Sequence, residues 1–124
     1  PFGRTKEEFE NSDEYIFLKD MEKTDSPTIV LAHMPDTFIF NGAHNYWSNI
    51  DLVVSGHTHG GVIRLPFVGG LYSPMQGLFP KYDYGFYMLG EQMKMVITSG
   101  LSGYKFVPRF LNLPEICVLN LTGE

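Results

Sequence analysis

His57 and His59, two positions apart in Ser55-Gly56-His57-Thr58-His59-Gly60-Gly61, are the residues of this sequence best suited to chemistry. Imidazole is the commonest protein ligand for metal ions, and the neighbouring glycines keep the approach to each ring clear. On a regular strand both rings would share one face. Glycine lets the backbone leave that geometry, so that each ring can address its own ion. A third imidazole, His33, closes the apolar run Thr28-Ile29-Val30-Leu31-Ala32. Three histidines at strand ends suggest a hydrolytic metal centre, in which a bound divalent ion activates water and polarises the bond to be cut.

The elements that must position these rings are mostly short strands. Runs rich in Val, Ile and aromatics, separated by Gly, Pro and Asn, predict about six of them, at 29–33, 52–55, 62–65, 86–89, 95–99 and 116–121. The section 5–23 reads as helical. Thr5-Lys6-Glu7-Glu8 has the form of a capping box, Asn11-Ser12-Asp13-Glu14 can start a second turn of the same kind, and Tyr15, Leu18 and Met21, with Phe17 alongside, recur at helical spacing. Thr24-Asp25-Ser26-Pro27 ends it. A further helix is expected over about 38–48, as a crossover between strands, and 66–87 reads as a long loop studded with aromatics beside the histidine pair.

With 124 residues, 44% hydrophobic and 19% charged, the sequence suits one small α/β (α+β) domain. Its formal charge of −5, with no run of Lys or Arg, argues against a nucleic-acid patch and against an anionic lipid surface. A phosphoester substrate stays open, because divalent cations would reverse the local field. Cys117 is the only cysteine, which excludes an internal disulfide and a thiolate zinc site. Its setting, Glu115-Ile116-Cys117-Val118-Leu119, predicts a buried thiol. No apolar run is long enough to span a bilayer, and no signal-peptide pattern opens the sequence, which reads as soluble as given. It starts at Pro1-Phe2-Gly3-Arg4 without Met, as an excised or processed piece would.

Leu31-Ala32-His33-Met34-Pro35-Asp36, followed by Asp51-Leu52-Val53-Val54-Ser55-Gly56-His57-Thr58-His59-Gly60-Gly61, resembles the C-terminal half of the calcineurin-like metallophosphoesterase superfamily. The nearest branch is the bacterial one that includes the YkuE and YaeI phosphodiesterases. The resemblance continues through Ile63-Arg64-Leu65-Pro66, Tyr84-Gly85, Ser99-Gly100 and Pro108-Arg109-Phe110 to Pro114-Glu115. It implies part of a four-layer β-sandwich flanked by helices. It also implies two divalent ions, Mn, Fe or Zn, that hydrolyse a phosphomonoester or phosphodiester through an activated water. His33 and His57 would share one ion and His59 would bind the other. Asp36 would orient His33 or the backbone near it, or else serve as a plain turn residue after Pro35.

The superfamily's Asp-x-His, Gly-Asp and Asn-His motifs are missing from residues 1–124, and Val62 stands where the family has glutamine. The sequence therefore reads as the C-terminal portion of a single metallophosphoesterase domain whose N-terminal half would supply the bridging carboxylate and the proton-donating histidine. On this reading the fragment alone holds at most one weakly bound metal and is inactive. Its exposed edge invites dimerisation or strand exchange. The parent would be cytoplasmic or held at a membrane by an N-terminal anchor. Two other readings stay open: a mononuclear zinc enzyme with three His ligands, and a metal-binding or interaction module without turnover. Arg64 and Arg109 are candidate phosphate contacts or, more often for such a residue, exposed or structural side chains, and His44 and Trp47 fall in a polar loop. No residue is assigned to substrate binding.

Overall fold

A computed structural model describes residues 5–40, 46–103 and 107–122. Two short helices open it, α1 (Lys6–Glu10) and α2 (Asp13–Met21). The capping box forms: Thr5 N–H donates to Glu8 Oε2 at 2.7 Å, and Glu8 N–H donates to Thr5 Oγ1 at 3.2 Å. Ser12 caps α2 by accepting from Tyr15 N–H, which is why the helical section is two helices with a break at Asn11 and Ser12. Tyr15 and Leu18 face the core, whereas Phe17 points to solvent.

The main sheet has strand order β1-β2-β8-β7, formed by β1 (Ile29–Ala32), β2 (Leu52–Ser55), β8 (Met93–Ile97) and β7 (Gly85–Leu89). β1, β2 and β8 are parallel; β7 is antiparallel to β8. The central strands carry the core, with Val53, Met95 and Ile97 fully buried against Phe38, Trp47 and Ile50. At the edge, β1 alternates: Ile29 and Leu31 lie outside, Val30 and Ala32 inside. Asp51 ties the starts of β1 and β2 together by accepting from Thr28 N–H at 2.7 Å. This is a mixed α/β arrangement, in keeping with the expected class.

Several expectations need correction. The helix expected over 38–48 is a single turn and a half, α3 (Asp36–Phe40); 41–45, including His44, lie outside the described residues, and 46–48 are not helical. Trp47 is not in a polar loop but buried in the core, edge-on to Tyr15 at 5.5 Å. The long loop over 66–87 is largely pinned. β3 (Arg64–Leu65) pairs with β4 (Gly69–Gly70), and β5 (Tyr72–Ser73) with β6 (Gly77–Leu78), as two small hairpins. The strand expected at 116–121 does not form: its alternating apolar residues find no ladder among the described residues, and without one Ile116 and Val118 stay exposed. Cys117 is exposed with them, contrary to the buried thiol expected. No helix among the described residues is long and apolar enough to cross a membrane.

Candidate metal centre

Because β1, β2 and β8 are parallel neighbours, their carboxyl ends open on one edge of the sheet, the edge at which open parallel sheets bind ligands. His33 leaves β1 there, Gly56 and His57 leave β2, and Ser99 follows β8. Two backbone bonds hold the exits together, Gly56 N–H to His33 O at 3.4 Å and Thr98 N–H to Ser55 O at 2.9 Å.

The loop beyond β2 is strained. His57, His59 and Val62 have φ of 67°, 50° and 60°, interleaved with Gly60 and Gly61 at 61° and 77°. His57 sits in a three-residue turn closed by Thr58 N–H to Gly56 O at 2.8 Å, and Val62 in another closed by Ile63 N–H to Gly61 O at 2.7 Å. Such backbone costs about 1–3 kcal/mol per non-glycine residue and persists only where the surroundings over-determine it. Thr58, fully buried, donates to Asp83 O at 2.7 Å. Asp83 Oδ2 accepts from Gly70 N–H at 2.8 Å and from Arg64 at 2.6 Å, while Arg64 also reaches Gly60 O at 2.9 Å. Asn112 donates its amide to His59 O at 2.7 Å and Val62 O at 2.9 Å, bridging the two ends of the tight turn.

The loop gives its two rings different partners. His57 Nδ1 lies 2.9 Å from His33 Nε2, with the rings edge to face at 4.7 Å. His59 Nδ1 lies 3.2 Å from the Ser102 carbonyl. A carbonyl only accepts, so Nδ1 of His59 is the donor in this contact. Burial, and then the neighbouring His33 imidazole, hold His57 below the ordinary histidine value, against the pull of Asp36 in the other direction. Asp36 is itself buried, with both carboxylate oxygens lacking a hydrogen-bond partner among the described residues. Desolvation raises its pKa; its own backbone and His57 partly offset this.

His33 and His57 are thus brought together and Asp36 is placed under the influence of His57, while His59 takes a separate position. Among the described residues, no three His, Cys, Asp or Glu groups converge to hold a metal ion. An apolar recess of about 280 Å³ backs the loop, but Gly61, Val62, Ile63, Leu71, Tyr72 and Val107 line it and no histidine does. Arg64 and Arg109 are both committed to structure: Arg64 to Asp83 and Gly60, Arg109 to the carbonyls of Ser99, Gly100, Ser102 and Leu113. Sequence reasoning missed Thr58, Asp83 and Asn112, whose partners lie far away along the chain and leave no local pattern.

No family model and no solved structure matches the chain. Among curated proteins it is similar to an uncharacterized metallophosphoesterase of Campylobacter jejuni, 38% identical over 82% of this chain and 24% of that protein. It is also similar to the uncharacterized metallophosphoesterase YkuE of Bacillus subtilis, 36% identical over 76% of this chain and 30% of the relative. A third relative is the UDP-2,3-diacylglucosamine pyrophosphatase LpxG of Chlamydia trachomatis, 35% identical over 79% and 30%. The chain spans about a quarter to a third of the length of these relatives.

Proposed function

Since this chain belongs to the metallophosphoesterases, we propose that it contributes His33, His57 and His59 to a dinuclear centre that hydrolyses phosphoesters. The observation that carries this reading is the 2.9 Å separation of His57 Nδ1 and His33 Nε2. Two imidazole nitrogens bound to one ion at about 2.0–2.1 Å stand about 2.9–3.4 Å apart, for angles from near 90° to tetrahedral. The pair therefore suits a shared ion with little rearrangement. His59, with its lone pair on Nε2, suits a second ion. Among the described residues no three such groups converge, which speaks against a mononuclear site built from these three rings.

When bound, the metal pair supplies an activated water and charge stabilisation on the phosphoryl oxygens. The chain's own residues do the positioning. His57 would use Nδ1 toward the ion, which would leave its proton on Nε2, and Asp36 acts on this ring through its charge, with no hydrogen bond between them among the described residues. The strained loop separates the two rings so that they serve different ions. LpxG is named as a pyrophosphatase, which makes a diphosphate ester a substrate class to try beside simple diesters.

The full-length gene product should hydrolyse bis(p-nitrophenyl) phosphate or a diphosphate ester in the presence of Mn²⁺. Chelation, His57→Ala and His59→Ala should each abolish it. Hydrolysis that survives chelator and both substitutions would exclude this function.

A further inference from the structure

The structure assigns a positioning role to Arg109, a residue that meets His59 through a shared acceptor, the Ser102 carbonyl. Its guanidinium gathers carbonyls: Nε donates to Ser102 O at 2.8 Å, one terminal nitrogen to Gly100 O at 3.0 Å and to Ser99 O, and the other to Leu113 O at 3.3 Å. Arg is the side chain able to do this, since its planar fork carries five donors in fixed directions. The gathered segment is the one that follows β8, and its Ser102 carbonyl is the acceptor 3.2 Å from His59 Nδ1.

We propose that Arg109 fixes the tautomer of His59: by anchoring the Ser102 carbonyl it keeps the proton on Nδ1 and presents Nε2 as the coordinating nitrogen. The second ring nitrogen of a metal-binding histidine is commonly held by such an acceptor, and the orientation of the ring follows from it. The backbone beneath the ring is held from the same side, because Asn112 fixes His59 O. Without Arg109, four carbonyls lose a shared donor and Ser102 O is no longer held against the ring. The Nδ1–H and Nε2–H forms of a neutral imidazole are close in energy in water, so a lost acceptor redistributes the proton. The role of Nε2 toward a metal rests on the proposed function; the tautomer does not.

Long-range ¹H–¹⁵N NMR of the imidazole nitrogens tests this on the metal-free protein at a pH where His59 is neutral. The native protein should show His59 as the Nδ1–H tautomer, and an Nε2–H signature there would overturn the proposal before any variant is made. Arg109→Gln should give a tautomer mixture and a roughly tenfold weaker Zn²⁺ affinity. Arg109→Lys, with the charge but without the fork, should fall between. A tautomer and an affinity within twofold of native in Arg109→Gln, with far-UV circular dichroism unchanged, would overturn it. If the tautomer is as stated and no protein binds Zn²⁺, the metal reading fails and the positioning role stands.

Discussion

Replacing Gly61 by alanine should damage this protein far more than replacing Gly56, although both flank the same histidines. Gly61 has φ 77°, and a Cβ built on it would lie 2.3 Å from Gly70 Cα and 3.0 Å from Gly70 C. These are backbone atoms of β4 and cannot rotate aside. Left-handed backbone costs an alanine about 1–2 kcal/mol. Relief of the clash must separate the tight turn from β4, which pulls Gly70 N–H from the Asp83 carboxylate it meets at 2.8 Å, a charge-assisted bond worth about 1.5–3 kcal/mol. The sum is about 3–5 kcal/mol, against a total stability for a small domain of about 5–15 kcal/mol. For a chain of this size such a loss lowers the melting temperature by about 10–20 °C. Gly56 has nothing within 4 Å of its would-be Cβ, so Gly56→Ala should change stability by no more than about 0.5 kcal/mol. Thermal unfolding followed by circular dichroism measures both. A Gly61→Ala protein that melts within about 3 °C of native would show that β4 and the turn are not in contact as described.

Three further outcomes follow from the electrostatics of the same region. Asp36 has a folded pKa above its unfolded value of 3.8, so its ionisation destabilises the metal-free protein increasingly as pH rises through the folded pKa; the melting-temperature gain of Asp36→Asn over native should be larger at pH 7 than at pH 4. His57 has a folded pKa below its unfolded value of 6.5, so metal-free stability should fall as pH drops below about 6.5 toward the folded pKa, and in His57→Gln that part of the slope should vanish from melts run between pH 5 and 8. Arg64→Met leaves the buried Asp83 carboxylate without its 2.6 Å partner and should cost about 2 kcal/mol by urea unfolding, discounted because Arg64 is partly exposed; much of this should return in Arg64→Met/Asp83→Asn.

Much of this was legible locally. The capping box at Thr5 depends on residues three apart, and the parallel strands around Val53 and Met95 depend on short apolar runs, so both can be read from neighbours alone. The His57 and His59 loop stood out for the same reason, since glycines and imidazoles at that spacing have few packing explanations. What resisted reading is non-local. For Arg64 and Arg109 the sequence favours an exposed or structural role over a phosphate contact, but only the fold shows which partners occupy them, Asp83 and backbone carbonyls. The two hairpins between Arg64 and Leu78 have two-residue strands, too short for any period to show. Residues 116–121 have strand composition, but a strand also needs a partner, and composition says nothing of that.

The sheet order also sets a timetable for synthesis. Leu52 pairs with Lys94, so the central strand β8 emerges from the ribosome long after β2. At about 5–20 residues per second the wait is on the order of several seconds. β1 and β2, and with them His33 and His57, are translated before β8. His59 acquires its ring acceptor Ser102 and its backbone clasp Asn112 only when the last stretch arrives. The two sides of the proposed centre thus draw on residues made at different times: His33 and His57 stand on strands translated early, whereas the supports of His59 are translated after β8.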